Sequence, residues 1–191
     1  MTKITDRIFV REDHTCPWWL CFTFDNPIRG LFQNPYKILK GYVKPDDTVL
    51  DIGPGMGYFT FPLSEMAGTK GKVIALDIQE GMLKRLEKKV TTRKIDNIKV
   101  KLYDGKKFDL KEKFNFILLF WMYHEVNNKP EFIKQIESVM ENGARLLIAE
   151  PKIHVDKRRF DASIKLLTDA GFIITEQPQV SLSRSVLLQK K

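Results

Sequence analysis

The feature that most constrains this 191-residue chain is a glycine-rich segment that follows a short apolar run. From Val49 to Thr60 it reads Val-Leu-Asp-Ile-Gly-Pro-Gly-Met-Gly-Tyr-Phe-Thr, which predicts a buried strand, a tight turn and the start of a helix. Glycine in such a turn allows positive φ and lets a ligand approach the main chain without meeting a Cβ atom. The amides and the positive dipole end of the helix then favour an anionic or carboxylate-bearing ligand.

The spacing of the glycines argues against two common nucleotide-binding motifs. A dinucleotide-binding segment needs G-x-G-x-x-G, but counting from Gly53 leaves Tyr58 where the third glycine belongs. No Gly-Lys-Ser or Gly-Lys-Thr follows the turn, so a P-loop is also excluded. The pattern is G-x-G-x-G, with Asp51 two residues before the first glycine.

Beyond the first forty residues, short apolar runs alternate with amphipathic segments, which is typical of βαβ units and a parallel sheet. The predicted strands are Thr48–Ile52, Lys72–Asp77, Ile98–Tyr103, Phe114–Phe120 and Ala144–Glu150. The predicted helices are Tyr58–Ala67, Glu80–Thr92, Pro130–Met140 (ended by Asn142-Gly143) and Lys157–Ala170. The connection between Phe172–Glu176 and Ser185–Gln189 is too short for a parallel crossover, so these strands are expected to form an antiparallel hairpin. The sequence predicts one α/β domain with a doubly wound, mostly parallel sheet.

Acidic residues lie at the carboxyl ends of three successive predicted strands. Asp51 precedes the glycine turn, Asp77 closes the second strand, and Asp104 follows the third, directly before Gly105. These ends meet at the crevice where open α/β sheets bind ligands, and Asp77 is placed to accept hydrogen bonds from both hydroxyls of a ribose. Asp77 as a helix N-cap and Asp104-Gly105 as a plain turn are the alternative interpretations.

These residues resemble the class I S-adenosylmethionine-dependent methyltransferases, which carry D-x-G-x-G-x-G followed by an acid at the end of the second strand. The resemblance covers about Val49 to the C-terminus and implies a Rossmann-like fold with S-adenosylmethionine as cofactor. It implies that the glycine turn packs against the methionine part of the cofactor, that Asp77 binds the ribose, and that Asp104 binds the adenine. The cofactor-binding residues expected from it are Asp51, Gly53, Pro54, Gly55, Gly57, Asp77, Ile78, Asp104, Gly105 and Phe120.

The segment after the fourth strand, Phe-Trp-Met-Tyr-His-Glu from Phe120 to Glu125, resembles that of family members that act on small molecules. We expect His124 to be the catalytic residue, which accepts a proton from the methyl acceptor or shapes its pocket, with Glu125 orienting the ring. A structural hydrogen-bonding role for His124 remains open. The other expected pocket residues in this region are Trp121, Tyr123 and a second candidate pair, Glu150 and His154.

The first 44 residues are crowded with aromatic residues and prolines, and they are expected to form a cap separate from the methyltransferase domain at 45–191. This segment either covers a sheet edge or roofs a pocket. We expect it to roof the pocket of a small, apolar or aromatic acceptor, with Trp18 and Trp19 as walls. No metal site is expected, because the spacing of His14, Cys16 and Cys21 matches no common zinc pattern.

The formal net charge of +8 raises the question of a nucleic-acid partner. Residues 81–113 contain twelve basic and five acidic residues, and much of this charge lies on the polar face of the predicted helix Glu80–Thr92. We interpret this as a solvated helix face; RNA methylation and a non-catalytic cofactor-binding module remain alternatives. No apolar stretch approaches the roughly 18–20 residues that span a bilayer, so we expect a cytoplasmic protein without a membrane partner. The sequence does not predict the oligomeric state.

Overall fold

The computed structural model describes residues 30 and 32–190. The strands are β1 (Thr48–Ile52), β2 (Lys72–Asp77), β3 (Ile98–Leu102), β4 (Phe114–Phe120), β5 (Met140–Pro151), β6 (Ile173–Glu176) and β7 (Ser183–Gln189). The helices are α1 (Pro35–Leu39), α2 (Thr60–Ala67), α3 (Glu80–Thr92), α4 (Lys129–Val139) and α5 (Lys157–Asp169). A single 3₁₀ turn, Tyr123–Glu125, follows β4.

The strands form one seven-stranded sheet in the order β3-β2-β1-β4-β5-β7-β6. Strands β1 to β5 pair in parallel, whereas β7 runs antiparallel to both β5 and β6. The strand order reverses between β1 and β4, which is the topological switch point where such sheets bind ligands. This confirms the predicted doubly wound, mostly parallel α/β sheet with a C-terminal antiparallel hairpin.

Both faces of the sheet are covered by apolar side chains. In β1, Leu50 and Ile52 belong to a core cluster that includes Phe132 of α4. Val49 points to the opposite cluster, which includes Leu86 of α3. Because successive strand residues face opposite sides, a strand buried on both faces is expected to be apolar at nearly every position, as β4 is.

Several element boundaries differ from the sequence prediction by one or two residues, and the start of β5 differs by four. Helix α2 begins at Thr60 rather than Tyr58, because residues 55–59 still form the turn. Strand β5 begins at Met140, directly after α4, so Asn142-Gly143 lies inside a strand and does not follow a helix as predicted. Gly143 has a φ of +71°, and the pairing of β4 with β5 shifts register between Phe114 and Phe116, which indicates a bulge.

The expected cap at residues 1–44 falls mostly outside the described residues, and Trp18, Trp19, His14, Cys16 and Cys21 all lie there. Near the start of the described chain, Gln33 binds the connection between β6 and β7: its Nε2 donates to the carbonyl oxygen of Ser181 at 2.9 Å. Among the described residues, no helix combines the length and apolar character needed to cross a bilayer.

Candidate functional site

A cavity of about 540 Å³ opens at the carboxyl ends of β1, β2 and β4. Its walls are mostly apolar, and its size falls within the range of small-molecule and cofactor sites. The structure brings most of the predicted site residues together here: Asp51, Gly53, Pro54, Gly55, Asp77, Ile78, Phe120, Trp121, His124 and His154. Among the described residues, the crevice expected from the strand order is therefore an open pocket.

The glycine turn forms one wall of the cavity. Gly53, Gly55 and Gly57 all have positive φ, at +72°, +55° and +96°. The amide of Gly53 donates to the carbonyl oxygen of Leu76 at 2.9 Å, which fixes the turn against β2. A Cβ atom on Gly55 would meet no atom within 4 Å, so this residue leaves bare main chain facing open space.

Two carboxyl groups lie at the floor of the cavity. Asp51 is 2% exposed, and its Oδ2 accepts a hydrogen bond from Thr60 Oγ1 at 2.7 Å. Burial raises the pKa of Asp51 to about 7, and the nearby Asp77 contributes to the increase. Burial also raises the pKa of Asp77 to about 6, against the opposing effect of backbone amides that include those of Gln79 and Gly55. Titratable groups with strongly perturbed pKa values in a cleft are typical of functional sites.

His124 is held in the cavity wall by Glu150, not by its neighbour Glu125 as predicted. Glu150 is 2% exposed, and its Oε2 lies 2.7 Å from His124 Nδ1. The same carboxylate accepts hydrogen bonds from the backbone amides of Tyr123 and His124, both at 3.0 Å. Although burial lowers the pKa of His124, the hydrogen bond and charge of Glu150 outweigh this and leave the pKa raised.

Trp121 adopts a left-handed backbone conformation with φ of +60°, which is rare for a bulky residue. Its amide donates to the carbonyl oxygen of Ala149 at 2.7 Å, and its Nε1 donates to Ser183 Oγ at 2.8 Å. These contacts hold the indole in the cavity wall. Strained residues of this kind are concentrated at functional sites.

Several predicted site residues do not line the cavity. Asp104 is exposed, and its Oδ1 accepts hydrogen bonds from the amides of Lys106 and Lys107, at 2.8 and 3.3 Å, as in the turn considered as the alternative. Tyr123 is 1% exposed and packs in the core against Phe132. Gly105, Gly57 and Glu150 are also absent from the lining. His154 does not pair with Glu150, but stacks on His124 with ring centroids 6.1 Å apart.

Other lining residues were missed by the sequence analysis. Tyr58, Phe59 and Gln79 immediately follow the predicted motifs, so proximity to those motifs was an available signal. Tyr103 lines the cavity where Asp104 was expected. Leu182 comes from the C-terminal hairpin, and nothing in the local sequence indicates its position.

The sequence has recognisable relatives. Residues 43–179 match a family model described as a methyltransferase domain. The chain is 28% identical over 151 residues to a ubiquinone/menaquinone biosynthesis C-methyltransferase UbiE from Shewanella oneidensis, which covers 76% of this chain and 60% of that protein. A UbiE protein from Francisella tularensis subsp. novicida is 29% identical over 148 residues, or 74% of this chain and 59% of that protein. The chain thus spans about 60% of the length of these curated relatives.

Solved structures show the same architecture. A SAM-dependent methyltransferase from Aquifex aeolicus superposes with a TM-score of 0.83 at 28% identity, and the match covers 93% of this chain and all of that chain. The fibrillarin of Aeropyrum pernix, solved with natively bound S-adenosyl-L-methionine, has a TM-score of 0.63 at 17% identity, with coverage of 84% and 74%. The second likeness shows a shared fold.

Proposed function

The chain belongs to the class I S-adenosylmethionine-dependent methyltransferases, and we propose that it transfers the methyl group of this cofactor to a small organic acceptor. The observation that carries the proposal is the mostly apolar cavity of about 540 Å³, which has the glycine turn at one wall and His124 at another. Its volume and apolar lining are typical of a small-molecule or cofactor site.

The residues present fit the cofactor. Asp77 offers a carboxylate at the end of β2 for the ribose hydroxyls, and Ile78 offers an apolar surface beside it for the adenine ring. The open space at Gly55 leaves room for the amino-acid part against the main chain. When bound, S-adenosylmethionine supplies an electrophilic methyl group on a sulfonium. Binding of adenine by Asp104 and Gly105 remains a prediction.

His124 is proposed as the group that takes the acceptor proton. With Nδ1 hydrogen-bonded to Glu150, the ring leaves Nε2 as its second nitrogen for the acceptor. Glu150 is a positioning residue in this account, because it fixes the ring and the main chain of residues 123–124. Alignment of the two reactants in an apolar cavity supplies the remainder of the catalysis.

The choice of a small acceptor has two supports. The UbiE relatives are named for methylation of carbon in ubiquinone and menaquinone biosynthesis. In this chain, Trp121 and Ile153 give the cavity apolar walls. The expected cap at residues 1–44, with Trp18 and Trp19 over the acceptor, stays a prediction, because both tryptophans lie outside the described residues.

The proposal is tested by label transfer from trideuteromethyl S-adenosylmethionine to panels of phenols, quinols and amines, with transfer RNA and ribosomal RNA in parallel. We expect labelled small molecules, and a rate that rises with pH through the raised pKa of His124, because only neutral histidine accepts a proton. His124→Gln should slow transfer by about 100-fold. Glu150→Gln should move the rising limb to lower pH, because it removes the charge that raises this pKa, whereas Glu125→Gln should move it less.

Each alternative predicts a different outcome. Label found only in RNA would replace the small acceptor with a nucleic acid. Cofactor binding without label in any acceptor would indicate a binding module. An unchanged rate and pH profile in His124→Gln would remove the proposed base.

A further inference from the structure

A second cavity, of about 380 Å³, lies between α4 and α5. His124 lines both cavities and therefore forms the wall that they share. The second cavity is lined by two basic side chains, Lys129 at the start of α4 and Arg159 in the first turn of α5. Nothing in the proposed methyl transfer uses either of them.

Neither basic group is neutralised within the described residues, where no carboxylate forms an ion pair with Lys129 or Arg159. Lys129 Nζ donates to the carbonyl oxygen of Val126 at 2.9 Å and lies 5.2 Å from the ring centroid of Tyr123. Arg159 Nη1 donates to the carbonyl oxygen of His154 at 3.2 Å. Both partners are neutral, so the two positive charges remain.

The carboxylate that lines this cavity, Glu150, is already engaged by the His124 ring and two backbone amides. It attracts Lys129 without pairing with it. Burial lowers the pKa of the Lys129 ammonium, and the charge of Arg159 lowers it further. Two cations that repel each other across a partly enclosed space are stabilised by an anion placed between them.

We propose that the second cavity is an anion subsite, in which Lys129 and Arg159 hold a carboxylate or phosphate group of the methyl acceptor. The ammonium supplies a point charge, and the guanidinium supplies a planar fork that matches either oxyanion. The acceptor's nucleophilic part then lies beyond His124, in the cofactor cavity. This inference rests on the proposed function and names a feature of its acceptor.

The subsite is tested by binding, without methyl transfer. The protein saturated with S-adenosylhomocysteine is titrated with benzoate, phenyl phosphate and the neutral benzyl alcohol, and dissociation constants are followed by ¹H–¹⁵N NMR. We expect at least one anion to bind more tightly than benzyl alcohol and to perturb the amides of Lys129 and His124. Comparing benzoate with phenyl phosphate distinguishes a carboxylate from a phosphate site.

Matched variants identify the groups responsible. Lys129→Met and Arg159→Gln should each weaken binding of the preferred anion by about tenfold and leave benzyl alcohol unaffected, since each removes one charged hydrogen bond. Lys134→Met and Arg158→Gln change exposed residues of the same two helices and should leave the affinity unchanged.

Equal affinity of the wild-type protein for the anions and for benzyl alcohol would overturn the subsite, as would equal loss in the control variants. Failure of the proposed function is seen separately, as the absence of label transfer. A protein that methylates neutral acceptors and binds none of these anions would contradict the subsite alone.

Discussion

Gly55 and Gly57 share a positive φ but differ in what surrounds them. A Cβ atom on Gly57 would lie 2.7 Å from both Leu86 Cδ1 and Phe61 Cε2, whereas one on Gly55 would meet nothing within 4 Å. Gly57 is therefore required by packing, because the turn comes into close contact with α2 and α3. Gly55 is required by its positive φ. The absence of a side chain there also leaves room for the ligand that we propose to lie against the main chain.

This difference predicts that two alanine substitutions differ in their effects on stability and on ligand binding. Gly57→Ala should lower the free energy of unfolding by about 2–4 kcal/mol, because overpacking adds to the cost of positive φ. Gly55→Ala should cost about 1–2 kcal/mol but weaken binding of S-adenosylhomocysteine, since the new methyl group occupies the ligand's space. Urea denaturation and calorimetry measure the two effects; a stability loss in Gly55→Ala as large as in Gly57→Ala would contradict this assignment.

At the residue scale, positions set by neighbouring sequence were predicted better than contacts between residues that are distant in sequence. Asp77 was placed correctly, because a carboxyl at the end of a strand beside the glycine turn has few other positions. Glu125 was a natural partner for His124 because it is adjacent in sequence, yet Glu150 holds the ring. Glu150 lies in β5, and the parallel pairing of β4 with β5 places it beside His124.

At the scale of elements, apolar runs in the sequence predicted strands β1, β2 and β4, and the structure has these strands with the same bounds. Such runs are unambiguous because both faces of these strands are buried. The predicted start of β5 was wrong because Asn-Gly is a typical turn signal, whereas here the pair lies in a bulge near the start of β5, where it pairs with β4. Asn-Gly indicates a backbone with positive φ at the glycine, as at Gly143, and this conformation occurs both in a bulge and at the end of a helix.

One buried side chain connects α4 to the loop after β3. Gln135 is 8% exposed; its Oε1 accepts from the amide of Phe108 and its Nε2 donates to the carbonyl oxygen of Lys106, both at 2.7 Å. This loop contains Asp104 and Gly105, whose expected role in adenine binding depends on its position. Gln135 therefore helps to hold a loop beside the candidate site, together with the packing of Phe108 against Phe132.

Gln135→Leu should lower the free energy of unfolding by about 1–3 kcal/mol, because it leaves a buried amide and a carbonyl without partners. Gln135→Glu should also destabilise, since it keeps an acceptor for Phe108 but turns a second carboxylate oxygen towards the carbonyl oxygen of Lys106, which needs a donor. Urea denaturation gives the stability, and hydrogen exchange at the Phe108 amide reports the loop. Unchanged exchange at that amide in Gln135→Leu would show that the loop is held by other contacts.

At the scale of the whole molecule, the basic helix face predicted from the sequence is partly engaged with the protein itself. Lys89 Nζ donates to the carbonyl oxygen of Met56 in the glycine turn at 2.9 Å. Lys84 pairs with Glu80 on the same helix, at 3.0 Å. These contacts favour the interpretation of α3 as a helix that supports the glycine turn, and its charge as a feature of the fold.

Both the cofactor and the proposed acceptor depend on the cavity beside Asp77. S-adenosylhomocysteine is titrated calorimetrically into the wild-type protein, into Asp77→Asn, and into Asp96→Asn as a control at an exposed site. We expect saturable binding that weakens as the pH falls below about 6, where Asp77 takes up a proton. Asp77→Asn should lower the affinity about tenfold or more, and Asp96→Asn should not change it. No binding to the wild-type protein, or equal affinity in Asp77→Asn, would contradict the assignment.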